Sequence, residues 1–90
     1  MDAEITLITA LDDYNDQRRT IFAEREAITQ HEYVAAGQKD IKPAHKFIVW
    51  AFEYEGETDI EYNGKSYTVY RTFEKGDKVE LYAEERGGRR

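Results

Sequence analysis

The stretch that decides the fold is IEYNGKSYTVYRTFEKGDKVELYAEE, Ile60 to Glu85. Its Asn63-Gly64 pair is the strongest short hairpin signal in the chain, because a type I′ turn needs positive φ at both central residues. A two-residue loop there sets Tyr62 opposite Lys65 and Ile60 opposite Tyr67. Side chains alternate along a strand. Ile60, Tyr62, Tyr67, Val69 and Phe73 therefore share an inner face, with Arg71 interrupting it. Glu57, Asp59, Glu61, Ser66, Thr68 and Tyr70 take the outer one. The next turn, EKGDK (Glu74 to Lys78), reads as five residues and sets Phe73 against Val79, with Leu81 near Arg71. Val79, Leu81 and Ala83 then point inward, and Glu80, Tyr82 and Glu84 outward.

Upstream, FIVWAFEY (Phe47 to Tyr54) is rich in aromatic and β-branched residues and reads as a strand. A three-residue loop, Tyr54-Glu55-Gly56 with Gly56 left-handed, pairs Trp50 with Ile60 and turns Ile48, Trp50 and Phe52 inward. A two-residue turn throws Trp50 and Phe52 onto the acidic face, because a one-residue slip exchanges faces. QKDIKPAHK (Gln38 to Lys46) reads as a connector, since Pro43 lacks the N–H that a central strand needs. TQHEYVAAG predicts one short helix over Thr29 to Ala36. Thr29 and Glu32 have the spacing of a capping box, and Gly37 suits a left-handed closing residue. Ile21 to Ile28 reads as a strand, with helix as a rival because Ala, Glu and Arg favour it. Ile5 to Ile8 is a short strand candidate, and TALDDYNDQRRT (Thr9 to Thr20) a long polar loop. The expected fold is mainly β: a small antiparallel β-barrel or sandwich with one short helix. It forms a single domain over residues 1–90, with a polar loop at 9–20 and a flexible tail at 87–90.

A chain of 90 residues is one domain. At this size roughly 60–65 % of the unfolded surface is buried, so stability is modest, roughly 5–10 kcal/mol. The chain holds seven tyrosines and four phenylalanines, enough for a core but not for a core around a deep ligand cavity. It has no cysteine, which excludes disulfides, thiolate zinc sites and thiol nucleophiles. No apolar run approaches the ~20 residues of a membrane helix, and MDAEITLITAL lacks the basic start of a signal peptide. The net charge is -6, which on average repels nucleic acid. Only the C-terminal RGGRR is strongly basic, and a solvated tail explains it.

Tests for chemistry fail in turn. His31 opens HEYVA, which begins like a zincin helix motif, but Ala35 stands where the second histidine belongs. His45 follows Pro43 without a partner pattern. DDYNDQ suggests calcium, yet counting from Asp13 the turn-glycine position is Arg18. No glycine loop cradles a phosphate, and Ser66 is a hairpin residue. No catalysis, metal or cofactor is expected. Arg71, inward by parity, calls for a buried carboxylate, and Glu24 or Glu26 is the expected partner. EYEGETDIE is the most unusual feature, with carboxylates at Glu53, Glu55, Glu57, Asp59 and Glu61 at strict period two. On the hairpin register Glu53 lies opposite Glu57, a pairing that costs roughly 0.2–1 kcal/mol. The face is either ordinary solvated surface or a surface meant to repel something anionic.

The order of these pieces resembles the phage head–tail joining family, also called head-closure or stopper proteins. The carriers are the helix Glu32 to Ala36, the strand entry Pro43 to Val49, the hairpin Ile60 to Val69 in the pattern I-x-Y-x-G-K-x-Y-x-V, and the last strand Glu80 to Glu85. The likeness spans Ile21 to Gly87 and rests on order and spacing. It implies a small β domain that forms a ring under the portal and adaptor of a tailed phage or prophage, joining the DNA-filled capsid to tail-completion proteins. DNA passes through such a ring without sequence-specific binding, and no membrane is involved. The location implied is the virion neck, with the bacterial cytoplasm before assembly. Glu53, Glu57, Asp59 and Glu61 would then face the channel, and the loop at 9–20 is where a plug would be sought. The alternative is a small β-barrel that binds a peptide strand on its edge.

Overall fold

The computed structural model describes residues 2–10, 16–37 and 41–85. Six strands form the fold: β1 (Asp2–Ala10), β2 (Asp16–Glu26), β3 (Pro43–Trp50), β4 (Asp59–Tyr62), β5 (Lys65–Lys75) and β6 (Lys78–Glu85). One helix, α1 (Gln30–Gly37), joins β2 to β3. The strands close into an antiparallel barrel in the order β1-β2-β3-β6-β5-β4. Ile5, Leu7, Phe47, Ile60 and Leu81 are the largest fully buried side chains, and Val49, Tyr67, Val79 and Ala83 pack with them. Each large apolar side chain contributes roughly 1.5–3 kcal/mol on leaving water.

Local chemistry explains the elements that form as expected. Asn63 (φ 56°) and Gly64 (φ 82°) both sit at positive φ, and Tyr62 pairs with Lys65 and Ile60 with Tyr67. The capping box is formed in full. Glu32 N–H donates to Thr29 Oγ1 at 3.1 Å, and Thr29 N–H donates to Glu32 Oε1 at 3.0 Å. Gly56 is left-handed (φ 86°). Val79, Leu81 and Ala83 all face the core.

Several expectations are corrected. Thr9 and Ala10 end β1, and Asp16 to Thr20 begin β2, where Thr9 pairs with Gln17 and Thr6 with Thr20. The expected loop thus loses both its ends to strands, and residues 11–15, with the tail at 87–90, lie outside the described residues. Strand β2 stops at Glu26, before Ile28. Gly37 is the last helical residue and is not left-handed. Pro43 opens β3, pairing with Glu84 just before a register shift. A strand's first residue, or a bulge, is where proline is tolerated.

The meander is also rearranged. Strand β3 does not turn back onto β4. A 3-10 turn, Ala51–Glu53, follows it, and Ala51 N–H donates to the Asp77 carbonyl at 2.8 Å. Strand β3 pairs with β6, setting Phe47 against Leu81, Val49 against Val79 and Trp50 against Lys78. Phe47 and Val49 are therefore inside, while Trp50 and Phe52 are 44 % and 79 % exposed. The turn after β5 is also tighter than read. Lys75 pairs with Lys78 around Gly76-Asp77, and Gly76 has φ 66°. A bulge at Tyr70 shifts the β5–β6 register between Val69 and Arg71, and one extra residue exchanges the faces beyond it. Arg71 and Phe73 consequently point outward beside Tyr82 and Glu80, their cross-strand partners.

Two seams of the barrel are short. Strand β1 meets β4 only from Thr6 to Ile8, and β2 meets β3 only from Glu24 to Glu26. Among the described residues, the rest of β2 has a ladder only with β1.

Candidate functional site

The barrel has a polar group at each end and two unlike outer walls. At the end reached by Leu7, the facing strand position is Arg19. Its guanidinium meets Glu57, with Nε donating to Oε2 at 3.0 Å and Nη2 to the same oxygen. Arg19 also donates to the Glu53 carbonyl. Glu55 N–H donates to Glu57 Oε1 at 2.8 Å, and Tyr54 Oη–H donates to the Glu57 carbonyl at 2.7 Å. The Glu57 carboxylate is 4 % exposed. Burial disfavours its charge, but Arg19 and the Glu55 N–H outweigh burial and hold its pKa below the usual range.

At the other end, His45 lies among Phe47, Tyr62 and Tyr67, with ring centroids 5.1–5.6 Å away. Its Nδ1 is 3.2 Å from Arg25 Nη1. Burial, then the Arg25 charge, pushes the imidazole pKa down. The ring is held neutral, so Nδ1 accepts from the arginine.

The outer wall made by β3, β6 and β5 is built in rows by the register. Trp50, Lys78 and Lys75 form one row, Ile48, Glu80 and Phe73 the next, and Lys46, Tyr82 and Arg71 the third. Trp50 stacks on Phe52 at 6.2 Å, and Lys78 Nζ sits 4.9 Å from the Trp50 ring. The Arg71 guanidinium lies 4.8 Å from the Tyr82 ring centroid and 6.0 Å from that of Phe73. Such cation–aromatic contacts contribute roughly 0.5–1 kcal/mol at exposed sites.

Under this wall Glu32 joins helix to sheet. It accepts from Lys46 Nζ at 3.2 Å and from Tyr82 Oη–H at 3.0 Å, in addition to its cap bond. Tyr82 Oη also lies 2.9 Å from Glu80 Oε1. Burial opposes the Glu32 charge, but the bonds from Thr29, Lys46 and Tyr82 bring its pKa down to about 2. Burial, then the bonds to Glu80 and Glu32, pushes the Tyr82 phenol well up. Two shallow hollows of about 400 and 410 Å³ lie on either side of Arg71, both bordered by Glu32 and Ala35. A third, about 190 Å³, opens where β2 and β3 part, between Phe22 and Trp50.

Of the residues singled out in the sequence, few come together as expected. Glu53 lies on the 3-10 turn and Glu57 is buried against Arg19, so neither shares an exposed stripe with Asp59 and Glu61. Only Asp59 and Glu61 stay on one outer face, that of β4, where Arg18 Nη1 reaches Glu61 at 3.5 Å. The expected Arg71 pair with Glu24 or Glu26 is not formed. Glu26 lies 3.6 Å from Lys46, and Arg71 rests on aromatic rings because the Tyr70 bulge turned it outward. Sequence reasoning missed the Arg19–Glu57 pair, separated by 38 residues, and the Lys46–Glu32–Tyr82 network. The one early sign of the network was Glu32 itself, already marked by the capping box.

Among the described residues no cluster of three or more His, Asp or Glu is placed to hold a metal, and no helix is long and apolar enough to cross a membrane. Compared with known proteins, the sequence matches no family model and no curated protein significantly. The likeness to head–tail joining proteins therefore rests on the order of motifs in the chain.

Proposed function

We propose that the protein is a non-catalytic structural connector of a tailed phage or prophage. It docks on the portal or adaptor ring of the DNA-filled head and on tail-completion proteins, and it repeats as a ring around the DNA path. The observation that carries this reading is the exposed wall of Trp50, Phe52, Phe73, Arg71 and Lys75, with half-buried Lys78 among them, on a closed barrel whose buried Lys46 and Glu57 are already paired. Aromatic and arginine side chains left in the open suit protein contact. The order of helix, strand entry, Asn-Gly hairpin and last strand adds the family likeness. The test is a phage or prophage lacking this gene. Filled or leaking heads without tails are expected, and normal infectious tailed particles would overturn the reading.

A second reading, a module that binds a peptide strand on its edge, is favoured by one observation. From Asp16 to Ala23 strand β2 has a ladder only with β1 among the described residues. Such an edge can accept a strand through main-chain hydrogen bonds. Pull-down partners that are single short peptides, with no place in a particle, would favour it.

A further inference from the structure

Strands β2 and β3 part at Glu24, the residue paired with Ile48. Two residues further on, Phe22 of β2 and Trp50 of β3 stand on the same outer face as that pair, because side chains alternate along a strand. They would oppose each other in a longer ladder. Instead they border a hollow of about 190 Å³. Phe52 stacks on Trp50 at 6.2 Å. Phe22 and Phe52, 71 % and 79 % exposed, are the most exposed large apolar side chains among the described residues. Both thus stand at one opening, beside the free edge of β2. The β1–β2 lip of the opening is acidic. Asp2 pairs with Glu24 and Glu4 with Phe22, and all three carboxylates are exposed. Among the described residues none of the three is in an ion pair or a side-chain hydrogen bond. Arg18, on the same face of β2, lies 3.5 Å from Glu61. On the other lip Lys78 sits 4.9 Å from the Trp50 ring, with Glu80 opposite Ile48. One row on, Glu26 and Lys46 lie 3.6 Å apart.

We propose that this opening takes an extended segment of another protein, laid against β2 from Asp16 to Ala23. A large aromatic or aliphatic side chain of the segment sits between Phe22 and Trp50, and a lysine or arginine two residues along reaches Asp2 and Glu24. This rests on the open edge that favours the second reading, and it gives the connector of the first reading a means of holding a neighbour. Each part of the segment answers an observation. The unpaired edge calls for a strand, which it binds through main-chain hydrogen bonds. The exposed aromatics are residue types that anchor protein contacts. Like charges directly opposite each other destabilise a ladder, and a cation set between Asp2 and Glu24 relieves that repulsion. Alternation puts the anchor and the cation on one face when they are two residues apart. An acidic segment is repelled by the same lip. So is the β2 edge of a second copy, which brings its own Asp2 and Glu24 to the contact.

The test titrates the isotope-labelled chain with the capped peptide TKTFTKT to about 1 mM, a range suited to so small a contact. Its lysines flank the phenylalanine on both sides, so either strand direction presents one to Asp2 and Glu24. Saturable shifts of the Trp50 indole and the Thr20 to Ala23 amides are expected, with slower hydrogen exchange at alternate amides of β2. TETFTET should bind about fivefold more weakly or worse, as attraction at exposed charges gives way to repulsion, and TKTATKT should not bind. Phe22→Ala should lose the binding, and D2K/E24K should prefer TETFTET. Amide NMR dispersion checks that each variant folds, and D2K/E24K decides the matter if Phe22→Ala does not. No saturable shift with TKTFTKT, shifts confined to residues away from the opening, or unchanged affinity in folded Phe22→Ala overturns the inference. So do dilution shifts of the protein alone at these amides, which would make a second copy the occupant. Equal binding of TKTFTKT and TETFTET removes the basic segment and leaves the edge reading standing. Silence of β2 toward every peptide removes both. The deletion phenotype tests the connector reading separately.

Discussion

Glu57 holds a charge where water barely reaches, and the two members of its pair differ in exposure. The Glu57 side chain is 4 % exposed and that of Arg19 is 35 %. Breaking such a pair is destabilising mainly because the survivor is left buried and charged. Arg19→Ala strands the buried member, and Glu57→Ala strands the member that still reaches solvent. We expect Arg19→Ala to cost about 3 kcal/mol and Glu57→Ala about half that, by urea denaturation at neutral pH. Equal losses would mean that burial does not govern the pair. Glu32 makes a second residue-level statement through pH. Its pKa is lowered from 4.5 to about 2 by bonds that overcome its burial. A depressed carboxyl stabilises the fold above its unfolded pKa, and that contribution is lost as pH falls through the folded value. Glu57 and His45 are shifted the same way, so all three favour stability at neutral pH over acid. The loss from Glu32 alone is roughly 1–3 kcal/mol, at the lower end where solvent screens it. The urea midpoint should fall between about pH 5 and pH 2.5, and Glu32→Gln should flatten that fall while lowering the plateau. An unchanged acid slope in Glu32→Gln would remove Glu32 from the account.

At the scale of elements, what could be read from the chain was what neighbours decide. The capping box needs Thr29 and Glu32 three residues apart, and the hairpin needs Asn63-Gly64. Neither depends on distant partners. The partner of β3 does. FIVWAF is apolar at both parities, so alternation cannot say whether Phe47 and Val49 or Ile48 and Trp50 face inward. Only the pairing with Leu81 and Val79 settles it. The bulge at Tyr70 was equally hidden, because VYRTF contains no glycine and no break in pattern to mark an extra residue. That bulge turns Arg71 onto the Tyr82 and Phe73 rings and away from the carboxylate that parity alone calls for. The hairpin allows a sharp check. Proline fixes φ near −65°, whereas Asn63 sits at 56°. Asn63→Pro should cost about 3 kcal/mol or more, and Asn63→Gly should be tolerated because glycine reaches positive φ freely. Thermal melts that rank the two variants equally would show that this turn does not set the β4–β5 register.

At the scale of the whole molecule, closing the sheet changes what the acidic strand can mean. With Glu57 withdrawn to the barrel's end and Glu53 on a separate turn, the four-carboxylate collar expected around a DNA channel is reduced to Asp59 and Glu61. Two carboxylates, with Arg18 3.5 Å from Glu61, make a poor repulsive lining. Lining a DNA channel and lying on the outside of the ring predict different outcomes for one variant, Asp59→Lys with Glu61→Lys. Both leave a folded barrel, since surface changes usually cost within about 0.5 kcal/mol. If the strand lines the channel, particles gain tails but eject DNA slowly, more so at low salt, because added lysines hold phosphates through counterion release. If the strand lies on the outside of the ring, tailed particles eject DNA at the wild-type rate. The withdrawal of Glu53 and Glu57 from the stripe favours the second outcome. Tailed, slowly ejecting particles from the lysine variant would return Asp59 and Glu61 to the channel.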